Sequence, residues 1–186
     1  MTITKANSKV GDGDEYTTIE KIWNIDPGNK SEVMETINDF CGEFAHAELE
    51  HTLVISADGK VYQPKGTTTT VNPGVLDRNI LNGSIGVHNH PVQAGETMND
   101  SFSRMDLLFS AEYKTGTEYL VSGTRRNAFR LTANFSVDEI YAEWGSAFDE
   151  VRKEAFVNKR TIVNEQEEIM KILSKRLKGF EFYEDF

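Results

Sequence analysis

The chain has 186 residues, which suits one domain and leaves little for two. Hydrophobic residues make up 38% and aromatics 10%, enough to bury a core without disulfides. The formal charge is −10, which disfavours a protein that grips nucleic acid through its phosphates, and the strongest basic cluster, Arg125-Arg126, is too small to reverse this.

Cys41 is the one cysteine, so an intrachain disulfide and a tetrathiolate zinc site are both excluded. No window approaches the ~18 apolar residues of a membrane helix. The opening Met1-Thr2-Ile3-Thr4-Lys5 lacks the apolar stretch of a signal peptide, so the expected location is cytoplasmic.

Residues 1–15 are polar and read as a flexible tail. Tyr16 to Trp23 reads as a short strand or an irregular lead-in, and Pro27-Gly28-Asn29 as a turn. Ser31 is the expected N-cap of a helix whose Val33, Met34, Ile37, Phe40, Cys41 and Phe44 recur at steps of three and four. Cys41 lies on that apolar face and reads as a packing residue. Thr52–Ser56 and Lys60–Gln63 flank Asp58-Gly59 as a β-hairpin, and the threonines leading to Val71 suggest a third strand.

Pro73 is expected to open a short helix that stops at Asn82-Gly83. Ser84–Val87 then reads as a buried strand that delivers His88. Gly95–Ser103 reads as a polar loop, followed by a helix from near Arg104 to Gly116 carrying Met105, Leu107, Leu108, Phe109 and Ala111. Glu118–Ser122 and Ala128–Leu131 form a second hairpin about Gly123. Ser136-Val137-Asp138-Glu139 is a capping box for a helix bearing Ile140, Trp144, Phe148, Val151, Ala155 and Phe156. A last helix presents Ile169, Ile172, Leu173 and Leu177 and ends at Gly179, after which the aromatics of residues 180–186 dock on the body. The order predicts an α/β sheet domain over residues 16–132 with a helical C-terminal extension, residues 133–186, packed on the same domain.

The chemistry concentrates in His88-Asn89-His90-Pro91 and Ser103-Arg104-Met105-Asp106. Strand alternation puts positions i and i+2 on one side, so both imidazoles can face one ion. Asp106, at the start of the next helix, can supply a third ligand and leave the fourth vertex of a zinc ion open. A zinc-bound water needs a proton acceptor that later serves the leaving group; Glu50, ahead of the Thr52–Ser56 strand, is the best placed, with Glu48 its nearest rival. Ser103 lies one turn before Asp106 and can donate to the oxyanion formed when water attacks a carbonyl. Each residue has a plainer use. Ser103 can simply cap the helix, Asp106 can favour its N-terminus, and Glu50 can be a solvated strand-edge acid. His46 and His51 read as surface or packing residues, with support of Glu50 as the alternative for His51.

These residues resemble the JAMM motif of the MPN (JAB) metalloprotease family: an upstream Glu, then His-x-His-Pro, then Ser-x-x-Asp. The match falls on Glu50, His88, His90, Pro91, Ser103 and Asp106, and the His-Asn-His-Pro form is similar to that of a prokaryotic, phage- or toxin-associated branch. The resemblance covers about residues 48–132. Twelve residues separate His90 from Ser103, a longer loop than the motif usually carries. The resemblance implies a curved mixed β-sheet flanked by helices and a Zn2+-dependent hydrolase of peptide or isopeptide bonds. It implies a peptide or protein substrate; the acidic charge and the lack of a long apolar run give the separate expectation of no partnership with nucleic acid or membrane. The alternative is a non-catalytic binding or assembly module of the same fold. Nothing in the residues states an oligomeric state.

Overall fold

The computed structural model describes residues 8–9, 16–65, 73–91 and 101–186. The expected 1–15 tail therefore falls outside the description except for Ser8–Lys9, and the strand expected before Val71 falls outside it entirely.

The protein is mixed α/β. Among the described residues eight strands form one sheet: β1 (Ser8–Lys9), β2 (Tyr16–Asn24), β3 (Thr52–Ile55), β4 (Lys60–Lys65), β5 (Ile85–Asn89), β6 (Thr117–Ser122), β7 (Arg125–Leu131) and β8 (Phe180–Glu184). Their spatial order is β1-β2-β4-β3-β5-β6-β7-β8. β5 and β6 pair in parallel, because α3 (Arg104–Tyr113) carries the chain from one back to the start of the other; the other described pairs are antiparallel. Both expected hairpins, β3–β4 and β6–β7, are present and antiparallel. The Tyr16 segment is a full nine-residue strand on β4, with a register shift between Ile19 and Ile22.

Helix α1 spans Lys30–Phe44. Its N-cap is Asn29, whose side chain accepts from the Ser31 and Glu32 amides; Ser31, expected to cap, lies in the first turn. An asparagine just after Pro27-Gly28 reaches the cap position first, and its carbonyl satisfies the free amides as well as a hydroxyl would. The single short helix expected from Pro73 is broken into a 3-10 turn, Pro73–Val75, and α2, Arg78–Leu81, capped by Asp77. Helices α4 (Val137–Asn158) and α5 (Glu165–Arg176) build the C-terminal extension. Ser136 caps α4 by accepting from the Glu139 amide at 3.1 Å. The extension is not purely helical: Phe180–Glu184 is strand β8, which extends the sheet beside β7. The terminal aromatics thus dock through a backbone ladder, and Phe180 is buried.

Strand alternation divides the core between two faces. Leu53, Ile55, Val87 and Val121 pack against α1 residues Val33, Ile37, Phe40 and Cys41. Burial raises the Cys41 thiol above its ordinary pKa, against a smaller opposing pull from Arg126, as suits a packing residue. On the other face Leu120, Phe129 and Phe180 meet α3, α4 and α5 through Leu107, Ile140, Trp144, Ile169 and Leu173. Val54 and Tyr62 meet Leu76 and Leu81 there. One helical expectation fails: Phe156, placed on the buried face of α4, is 85% exposed, because at about 100° per residue it turns away from the stripe of Trp144, Val151 and Ala155 that packs on the body. Arg125 and Arg126 are surface anchors, paired with Glu167 and Asn38. Among the described residues no helix is long and apolar enough to cross a membrane.

Candidate metal centre

His88 is the fourth residue of β5, a strand built from Ile85, Gly86 and Val87 and paired on both sides. That placement buries the imidazole on the face that carries α2 and α3. His90 follows just beyond the strand end, its amide bonded to the Val121 carbonyl at 3.0 Å. The two rings lie with centroids 5.1 Å apart. Phe102 stands edge-on to His88 at 5.7 Å and to Phe129 at 4.6 Å. The loop expected to be polar thus ends in two fully buried residues, Ser101 and Phe102, which fasten the start of α3 beneath the histidines. An isolated phenylalanine among polar neighbours carries no periodicity, so its role was not readable from spacing.

Asp106 lies in the first turn of α3. Ser103 is the N-cap, and the two residues form a reciprocal capping box. The Ser103 amide donates to Asp106 Oδ2 at 2.6 Å, and the Ser103 hydroxyl donates to the same oxygen at 2.8 Å. The Asp106 amide in turn donates weakly to Ser103 Oγ at 3.4 Å. Asp106 is thereby aimed at the histidines. Its Oδ1 lies 3.7 Å from His88 Nε2 and its Oδ2 lies 3.9 Å from His90 Nε2. These gaps are too long for hydrogen bonds.

The donor set fits a small cation. One ligand atom from each of His88, His90 and Asp106 falls within 4.8 Å of the others. A tetrahedral ion with bonds of about 2.0–2.1 Å holds its donors roughly 3.4 Å apart, slightly closer than the two gaps measured. His88 Nε2 is buried and has no hydrogen-bond partner, an arrangement that is costly unless something else meets that lone pair. Burial pulls the His88 pKa down from its ordinary 6.5 to about 4, with His90 adding to the fall and Asp106 opposing it. At neutral pH the ring is uncharged, the form a metal requires. The triad can therefore hold a metal ion.

Glu50 sits in the coil just ahead of β3 and lines one cavity together with His88 and Asp106. Glu48 is exposed and is not among the residues lining it. The residue that holds Glu50 there was missed in the sequence. Asn89, the middle residue of His-x-His, is fully buried. Its Oδ1 accepts from the His51 amide at 2.7 Å, and its Nδ2 donates to the Leu49 carbonyl at 3.1 Å. The backbone on both sides of Glu50 is thus clamped to the strand that carries the histidines. An asparagine inside a buried apolar strand was the available signal, since such a side chain must find partners. His51 itself stacks on Phe44, with ring centroids 4.1 Å apart, and takes the packing role.

A second residue missed in the sequence is Glu118, on β6 beside Gly86. It is buried and lines the same cavity. Burial raises its pKa from 4.5 to about 7; the Thr115 and Ser110 hydroxyls lower it, and Asp106 raises it. An acid between a threonine and a tyrosine in a strand reads as a surface residue until the sheet is assembled.

Compared with protein-family models, curated proteins and solved structures, the chain matches none.

Proposed function

We propose that the protein is a zinc-dependent hydrolase of peptide or isopeptide bonds with an MPN/JAMM-like site. The observation that carries this reading is the convergence of His88, His90 and Asp106, one of them with a buried, unpartnered nitrogen, in a site whose cavity also receives Glu50. His88 and His90 would offer neutral imidazoles and Asp106 a carboxylate. Zinc bound there supplies an acidified water and a Lewis acid for the substrate carbonyl.

Glu50 accepts the proton of the attacking water and delivers it to the departing amine. Asn89 keeps Glu50 within reach by fixing Leu49 and His51. Ser103 orients Asp106; its single hydroxyl proton is given to Asp106 Oδ2, so it serves the oxyanion only by releasing that bond. Phe102 keeps the His88 side of the site apolar, which favours the uncharged ring.

The test measures zinc content and hydrolysis separately. Purified protein is expected to carry one zinc equivalent, lost in His88→Ala and Asp106→Ala. A panel of peptide and isopeptide substrates is expected to be cleaved, and chelator to abolish cleavage. Glu50→Gln should retain zinc while losing activity by at least about 100-fold, the usual worth of a general base. Full activity in Glu50→Gln would remove Glu50 from the reaction. Zinc with no cleavage of any substrate in the panel would leave a metal-stabilised binding module instead.

A further inference from the structure

The cavity lined by His88 and Asp106 is also lined by Ser84, Gly86, Thr115 and Glu118, which form a buried end that the hydrolase reading does not use. It encloses about 250 Å³. At that end Glu118 faces Gly86 across the parallel β5–β6 pair. Its carboxyl group lies directly on the glycine: a Cβ built at Gly86 would come within 2.0 Å of Glu118 Oε2. The glycine is what allows a carboxylate to lie on the strand at this point, since any side chain would displace it.

Three observations give this end a ligand preference. First, Glu118 stands outside the cluster of ligand atoms formed by His88, His90 and Asp106, so a metal held by that triad does not account for it. Second, Thr115 lines the same cavity, is 4% exposed, and has a buried hydroxyl without a hydrogen-bond partner. The buried Ser110 hydroxyl is likewise unpartnered. Both hydroxyls are near enough to Glu118 to favour its ionised form, without closing to hydrogen-bond geometry. Third, the described residues lining the cavity include the carboxyl groups of Glu50, Asp106 and Glu118 and no lysine or arginine. A buried carboxylate is costly without a counter-charge, and the described lining supplies none to Glu118.

We propose that this buried end of the cavity is a subsite for a cationic group of the substrate, a lysine-like primary ammonium or an arginine-like guanidinium, held by the Glu118 carboxylate with the Thr115 hydroxyl as a second acceptor. A cation entering there supplies the missing charge, and its N–H donors meet the carboxylate and the threonine oxygen. The cavity's apolar wall, made by Val54, Leu81 and Phe109, suits the methylene stem behind such a head group. The meaning of the subsite rests on the hydrolase reading, so binding is measured apart from turnover.

The probes are Nα-acetyl-lysine amide and Nα-acetyl-norleucine amide, which differ in the ammonium group. Each is titrated into the 186-residue chain and followed by amide NMR, with zinc content and hydrolysis measured on the same preparation. The lysine probe is expected to bind about tenfold more tightly, the worth of one charged hydrogen bond out of water. Its shifts should centre on Gly86, Thr115 and Glu118. Glu118→Gln should erase the preference, and Thr115→Val should reduce it several-fold. Gly86→Ala, which pushes the carboxyl group off its cradle, should erase it as well and decides the matter if Glu118→Gln misfolds. Equal binding of the two probes by the wild type would overturn the subsite, as would a lysine preference that survives Glu118→Gln or shifts confined to the outer surface. A lysine preference in protein that holds no zinc would keep the subsite and sink the hydrolase. Zinc and cleavage with no preference would do the reverse.

Discussion

Asn89 shows how much a site can depend on a residue with no chemical part in it. Its side chain makes two hydrogen bonds to the backbone around Glu50, while the residues on either side of it belong to the group that could hold a metal ion. Replacing it with leucine leaves the His51 amide and the Leu49 carbonyl without those partners. We expect Asn89→Leu to destabilise the fold by about 1–3 kcal/mol in chemical denaturation, the usual cost of stranded buried polar groups. Under the proposed hydrolase reading, activity should fall by a larger factor than zinc affinity, because His88, His90 and Asp106 keep their places while Glu50 loses its anchor. An equal loss of both would make Asn89 part of ligand positioning instead.

At the scale of elements, α3 matters chiefly through its first turn. The capping box joins two functions: Ser103 satisfies a free helix amide and also holds the carboxylate that faces His88 and His90. Ser103→Ala is expected to cost about 1 kcal/mol of stability as a lost cap. It should also weaken zinc binding by about tenfold or more, as removal of a group that orients a ligand does. Competition with a chromogenic chelator reads the second effect, and retained zinc affinity would reduce Ser103 to a cap alone. The parallel β5–β6 pair is the other decisive element. It places Gly86 against Glu118, and so creates the polar end of the cavity.

For the whole molecule, Glu118 makes folding stability depend on pH. Its pKa is raised from 4.5 to about 7 in the folded state, so the fold favours the protonated form. The contribution is therefore full below about pH 4.5 and is lost as pH rises through about 7. The loss amounts to about 3 kcal/mol across that window. Glu118→Gln keeps the shape and removes the titration. In the presence of chelator, the stability of this variant relative to wild type should rise by about that amount between pH 4 and pH 8, read from urea unfolding curves. A difference that stays constant with pH would show that Glu118 does not titrate as its burial requires. His88 acts in the opposite sense: its pKa falls from 6.5 to about 4, so its contribution is full above pH 6.5 and is lost as pH drops toward 4.

Local spacing carried much of this protein. The three-and-four apolar steps of α1, the hairpin about Asp58-Gly59 and the alternation that brings His88 and His90 to one side are all properties of neighbouring residues, and they are legible without a fold. The pairing of Ser103 with Asp106 is likewise one helical turn. Contacts between distant segments decided the rest. The strand made by Phe180–Glu184 and the burial of Phe102 each depend on what lies across the sheet. Asn89 and Glu118 are ordinary polar residues by type. They acquire roles only when β3 and β6 flank β5, because burial and proximity are properties of assembled strands.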